Sequence, residues 1–464
     1  MTHDASFSLA APTTELDTRQ RIGLAVFGLG LLSLLVAWAM DGGSPVLASS
    51  LGFGLTIGGG LIYFWAKYLG KPAGIRNDGL TFSPTTSKGW IGWILGVVFT
   101  GFYVLLYWIP GTLEGLIRIT DPLSYTLRGK AADQWFLYGT FYTIAVLTMG
   151  VRMIFKYRHS KYQIIRTLSV MFFQLGFGFT IPGLLVMFNQ PEFYFSYFWP
   201  LKYDYLFPGT VNYLTQSGGV GVFMIFWGAV MTFIATPVLT YFFGKRWYCS
   251  WVCGCGGLAE TLGDPYRQLS DKSMKAWKIE RWMIHSVLLW VTVLTAALWI
   301  NSAMDGALLG KASRTYSKVY GFVIGAAFSG VIGVGFYPIM GSRVWCRFGC
   351  PMAAILGLQQ RFFSRFRIST NGGQCISCGN CSKYCEMGID VRWYAQRGQN
   401  IVRASCVGCG VCSAVCPRGV LNLENGPRGD QRFNSPGPVF ISTDSVRVLT
   451  EEPGAQSTDL AVSK

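Results

Sequence analysis

A chain of 464 residues that is 51% hydrophobic and only 13% charged, with a mean hydropathy of +0.36, lies outside the range of soluble globular domains and reads as a membrane protein. Its net charge of +16 does not point to nucleic acid, because the basic residues fall in short runs beside apolar stretches, where they set membrane orientation. Thirteen cysteines would suit a disulfide scaffold in a small secreted chain, but eight of them crowd into two tight runs near the C-terminus, which favours metal ligation in a reducing compartment.

Residues 1–21 are polar and contain no cleavable apolar region, so they read as a cytoplasmic segment leading through Arg19 and Arg21 into an uncleaved first helix. Eight apolar stretches then have the length of a membrane-crossing helix, at roughly 22–40, 50–67, 90–110, 135–155, 167–188, 217–243, 283–300 and 318–340. The basic connections alternate: Lys67, Lys71, Arg76 and Lys88; then Lys156, Arg158, Lys161 and Arg166; then Lys245, Arg246, Arg267, Lys272, Lys275, Lys278 and Arg281. Basic residues are retained on the cytoplasmic side, so a multi-pass protein of a bacterial inner membrane with both termini inside is expected. Asn189 to Gly209, crowded with aromatic residues from Phe193 to Phe207, reads as an interfacial belt, with a docking surface for a partner or a quinone head group as the alternative. Gly54 with Gly58, and Gly321 with Gly325, have the spacing of closely packed helices.

The run Cys375-x-x-Cys378-x-x-Cys381-x-x-x-Cys385 recurs as Cys406-x-x-Cys409-x-x-Cys412-x-x-x-Cys416-Pro417, the spacing of two-cluster bacterial ferredoxins. Three thiolates two residues apart let a tight loop wrap a cubane, while the fourth cysteine starts a helix pointing elsewhere and, in such ferredoxins, ligates the other cluster. By that logic Cys375, Cys378, Cys381 and Cys416 hold one [4Fe-4S] cluster, and Cys406, Cys409, Cys412 and Cys385 hold the other. Gly379, Gly408 and Gly410 allow close backbone approach and aim N–H groups at cluster sulfurs. The first run departs from the Cys-Pro ending, with Glu386 after Cys385. Structural zinc is the competing use of such sets of cysteines.

Gly244-Lys245-Arg246-Trp247-Tyr248-Cys249-x-x-x-Cys253 aligns with Gly341-Ser342-Arg343-Val344-Trp345-Cys346-x-x-x-Cys350 at an offset of 97 residues, an internal repeat. Each copy follows a membrane helix that ends on the cytoplasmic side, and cysteines four apart share a face if the segment is helical. Cys249, Cys253, Cys346 and Cys350 are therefore candidates for a further metal or iron-sulfur centre, for redox dithiols, or for inert interfacial thiols. Cys255 reads as a spare thiol. The expected fold is an all-α polytopic membrane domain of about eight helices over 22–340, a small α+β ferredoxin domain with two [4Fe-4S] clusters over 341–425, and a disordered tail over 426–464.

Over residues 217–425 the chain resembles the membrane polyferredoxins of nitrate and nitrous oxide respiration, the NapH/NosR type, with Cys346-Arg347-Phe348-Gly349-Cys350-Pro351 matching their Cys-x-x-x-Cys-Pro motif. The first copy departs from it, with Gly254 in place of proline. Copper-oxidase accessory proteins of the CcoG type share the motifs but place the ferredoxin domain between membrane helices.

With only His3, His159 and His285, a haem held by two facing histidines has no support, and His285 reads as an interfacial residue with quinone contact or proton transfer as the alternative. The chain has no dinucleotide fingerprint and no P-loop. The expected function is a relay of electrons between cytoplasmic clusters and a membrane quinone pool or a respiratory or dehydrogenase partner, as an electron-transfer subunit rather than a stand-alone enzyme. An assembly factor supplying electrons to mature another respiratory enzyme is the alternative, and a redox sensor a weaker one.

Overall fold

Apolar length shapes most of the chain. The structure, a computed structural model, describes residues 16–75, 89–310, 312–426, 439–441 and 446–448. His3, Arg76, Lys88 and most of the expected tail lie outside the described residues.

Seven helices among the described residues are long and apolar enough to cross a membrane: Thr18–Ala39, Pro45–Tyr68, Trp90–Trp108, Gln134–Lys156, Lys161–Met187, Gly219–Phe243 and Met274–Ala303. The eighth expected span differs. It starts earlier, as the helix Ala312–Tyr320, and continues as a π-helix over Gly321–Ile332. Arg314 and Lys318 make its first turns too polar to match the other seven. Two of the seven contain π-helical turns, Gly176–Thr180 and Met231–Ala235, each followed closely by a proline, Pro182 or Pro237, that cannot supply a backbone donor.

The first two helices pack backbone to backbone through glycines, but not through the expected pair. A Cβ on Gly59 would lie 2.3 Å from the Phe27 nitrogen, whereas one on Gly54 or Gly58 would meet nothing within 4 Å. Gly321 faces Tyr203 instead of another helix, since a Cβ there would come 2.4 Å from the tyrosine hydroxyl.

The aromatic segment 189–209 is not an interfacial belt. Phe193, Phe198, Trp199, Tyr205 and Phe207 are buried inside the bundle. Its non-helical backbone is satisfied there by side chains of the spans: the Thr232 hydroxyl donates to the Trp199 carbonyl at 3.0 Å, and the Trp227 indole to the Phe195 carbonyl at 3.0 Å. Protein cover of this kind is what lets irregular backbone sit among apolar spans.

The ferredoxin region is bracketed by one strand pair, Arg367–Thr370 antiparallel to Leu421–Glu424, with Ile368 opposite Leu423. Between them lie the short helices Asn380–Lys383, Val391–Gln396 and Val411–Ala414. Within the tail, Val439–Ile441 pairs antiparallel with Val446–Val448.

Candidate redox centres

Each cysteine run turns on a glycine with positive φ, 78° at Gly379 and 61° and 74° at Gly408 and Gly410. Four cysteines line each of two cavities, and the fourth in each case comes from the other run. One cavity is lined by Cys375, Cys378, Cys381 and Cys416, the other by Cys385, Cys406, Cys409 and Cys412. Backbone N–H groups point at the sulfurs: Ser382 to Cys381, Met387 and Ile389 to Cys385, Gly408 to Cys406, and Val411 to Cys409. Burial pushes the Cys406 thiol up to about 11 and the Cys409 thiol up to about 12. Four convergent thiols with backbone donors aimed at them fit a [4Fe-4S] cubane, in which each thiolate ligates a different iron.

The two cavities differ in position. Cys378 is exposed, whereas Cys406 and Cys412 are buried, with Cys409 partly so. The second run is fastened to the helical domain: the Tyr162 hydroxyl donates to the Gly408 carbonyl, the Gln163 amide to the Cys409 carbonyl and the Ser250 hydroxyl to the Val407 carbonyl, all at 2.8 Å. His159 adds a 3.0 Å contact to the Ala414 carbonyl. A Cβ on Gly410 would come 2.7 Å from the Tyr162 ring, so this glycine also permits the docking.

The repeated motifs are built alike, and not as one helix each. A positive-φ glycine, Gly244 or Gly341, ends the preceding helix. A short helix follows, Arg246–Cys249 or Val344–Phe348, and breaks before the second cysteine. Cys253 and Cys350 then sit at the N-caps of Gly254–Thr261 and Pro351–Phe362. The pairs therefore do not share one helical face; a helix-turn-helix brings each pair inward. The Cys350 sulfur accepts from the Ala353 N–H at 3.4 Å. All four thiols are buried and within electrostatic reach of one another. Burial raises Cys249 to about 12 and also raises Cys346 and Cys350. For Cys253 the first cause is a hydrogen bond with Cys255, so Cys255 touches this site. The absence of proline at Gly254 has a steric reason: a Cβ there would lie 2.2 Å from the Tyr197 hydroxyl and 2.8 Å from Gln174 Oε1.

A buried ion network joins the two regions. Asp264 accepts from Arg152 at 2.8 Å, Lys156 at 2.7 Å and Arg267 at 2.8 Å. Glu386 pairs with Arg267 at 2.7 Å and Arg343 at 3.0 Å, and Glu260 pairs with Arg343 at 2.5 Å and with Arg166. Burial opposes ionisation of Glu386, yet Arg267 and Arg343 hold it below its ordinary range. The five cations outnumber the three carboxylates, an excess suited to the negative charge of nearby thiolates. Arg343 also donates to the Cys249 carbonyl at 3.2 Å and approaches the Cys346 sulfur at 3.5 Å. Lys245, buried in the first motif, acts electrostatically on Cys249, Cys346 and Cys406 alike. Sequence reasoning missed this network, although Glu386 stood out as a departure. His285 lines one cavity together with Cys346, and its Nδ1 lies 2.6 Å from the Arg281 carbonyl.

Residues 374–421 match the 4Fe-4S dicluster domain, and residues 223–273 and 321–369 each match the 4Fe-4S binding domain, so the two copies of the internal repeat fall under one description. The chain is similar to a protein named electron transport protein YccM from Escherichia coli (strain K12), 27% identical over 173 residues that cover 35% of this chain and 47% of that one. It is also similar to the methylamine utilization ferredoxin-type protein MauN of Methylobacillus flagellatus, 26% identical over 149 residues, or 31% of this chain and 50% of that one. An uncharacterized protein of Methanocaldococcus jannaschii is 24% identical over 188 residues, 39% of this chain and 68% of that one. The matched part thus spans about half the length of the first and second of these relatives. No solved structure matches. These matches support iron-sulfur electron transport and agree with the resemblance to membrane polyferredoxins.

Proposed function

We propose that this chain is an integral-membrane electron relay of a bacterial inner membrane, with both termini cytoplasmic. Cys375, Cys378, Cys381 and Cys416 hold an outer [4Fe-4S] cluster, Cys385, Cys406, Cys409 and Cys412 a proximal one, and Cys249, Cys253, Cys346 and Cys350 a further iron-sulfur centre at the membrane face. Each cluster, when bound, supplies a one-electron couple. The observation that carries the proposal is that the first set includes the exposed Cys378 with half-buried Cys375 and Cys416, the second set has two buried and two half-buried cysteines, and all four thiols of the repeat are buried.

The chain's own residues do the rest. The exposed edge around Cys378 and Ile376 meets a soluble donor or a dehydrogenase. Tyr162, Gln163 and Ser250 hold the proximal loop in place, and the buried network between Asp264 and Glu386 keeps water out while balancing thiolate charge. Lys156, Lys161 and Lys245 flank the face on which the ferredoxin region docks, which supports a cytoplasmic placement. At the other end stands a membrane quinone or a respiratory partner. A quinone exchanges two electrons and two protons, so two single-electron transfers serve each quinone.

Anaerobic purification in detergent, with iron and acid-labile sulfide counted per chain, tests the assignment. Clearly more than about eight irons, the content of two cubanes, is expected, falling to about eight in Cys346→Ser. About eight in the unaltered chain would remove the third centre, and zinc in place of iron would overturn the relay.

A further inference from the structure

A cavity of about 460 Å³ opens where the start of the helix Met274–Ala303 meets the helix Pro351–Phe362 and the ferredoxin region. Its charged lining is lopsided. Lys245, Arg281, Arg361 and Arg403 contribute cations, whereas the carboxylate of Glu280 is already engaged by Arg347 at 2.8 Å. Arg281 and Arg403 come from different regions, yet both guanidinium groups lie against the ring of Trp277, 5.0 and 5.1 Å from its centroid. Among the described residues, the ion pairs engage none of Arg281, Arg361 and Arg403. The indole gives each guanidinium a cation–π partner, and an anion in the cavity would add a charge-assisted one.

The apolar side of the same cavity names the kind of anion. Trp282 is 80% exposed and Phe362 58% exposed at its mouth, with Ile284 and Leu358 behind them. Basic head-group sites between membrane helices, with aromatic residues at the water boundary, suit an acidic amphiphile. We propose that this cavity binds the phosphate group of an anionic phospholipid, held by Arg281, Arg361 and Arg403, with the acyl chains leaving past Trp282 and Phe362. The lipid ties a membrane helix to the ferredoxin region beside Cys346, which also lines the cavity.

The test is native mass spectrometry of the full chain, delipidated in detergent and then offered phosphatidylglycerol, phosphatidylcholine or inorganic phosphate. One phosphatidylglycerol is expected to be retained roughly tenfold better than phosphatidylcholine. Arg281→Gln combined with Arg403→Gln should abolish that preference. Lys278→Gln, an exposed cation of the same helix outside the cavity, should leave it intact. Equal retention of phosphatidylcholine, or an unchanged preference in the double variant, would overturn the site. Full displacement of the lipid by inorganic phosphate would overturn the lipid assignment in favour of a soluble phosphate.

Discussion

Arg343 and Glu386 form an ion pair of 3.0 Å in which both side chains are fully buried, and the same guanidinium lies 3.5 Å from the Cys346 sulfur. Glu386 directly follows Cys385, a candidate ligand of the proximal cluster. One charge pair therefore stands between two candidate redox centres, with a residue from each side.

Glu386→Gln removes a negative charge beside the proximal centre and leaves Arg267 and Arg343 short of a partner. Breaking a buried pair in this way costs about 3–5 kcal/mol. The expected result is a lower unfolding temperature and a proximal cluster that is easier to reduce, read by an EPR-monitored redox titration. A variant that loses stability with an unchanged potential would assign Glu386 a packing role alone.

The pH dependence follows from the same network. Burial raises the pKa of Asp264, but Lys156, Arg152 and Arg267 outweigh it and hold the group well below its ordinary value; Glu386 is lowered likewise. Groups with depressed folded pKa values contribute stability that is complete above their unfolded values and is lost as pH falls below them. Thermal stability in detergent should be level above the ordinary glutamate value of 4.5 and decline below it, and Asp264→Asn should reduce the slope.

The crosswise arrangement of the ferredoxin cysteines can be read by substitution. Cys385→Ser should alter the same EPR signal as Cys406→Ser, and Cys416→Ser the same signal as Cys378→Ser. Pairing of Cys385 with Cys378 instead would mean that each run ligates its own cluster.

Gly254→Pro restores the proline that the second copy carries at Pro351 but drives it into Tyr197 and Gln174. Overpacking of this kind costs about 1–3 kcal/mol. The variant should unfold at lower temperature, and Tyr197→Ala in the same chain should recover part of the loss; no recovery would place the strain elsewhere.

What could be read from the chain beforehand was local. Cysteine spacing alone grouped Cys378 and Cys409 with their neighbours, and apolar length alone located seven helices. The pairing of Glu386 with Arg267 and Arg343 was not legible, because the partners come from distant segments and no periodicity links them. The aromatic segment was misread because aromatic residues fill bundle interiors and membrane interfaces alike; only the contacts of Trp199 and Tyr248 tell them apart. The repeat itself was visible, but its helical face was not, since the breaks at Ser250 and Gly349 depend on how Cys253 and Cys350 cap the following helices.

The central claim is that electrons pass from the ferredoxin region through the proximal cysteines into the membrane domain. The most direct measurement is reduction of a membrane-soluble quinone in vesicles containing the full chain, with dithionite supplied on the side that carries the ferredoxin region, counted above the direct reduction seen in vesicles that lack the chain. The account predicts quinone reduction that is lost in Cys406→Ser and in Cys346→Ser. Quinone reduction that continues at the same rate in both variants would contradict it.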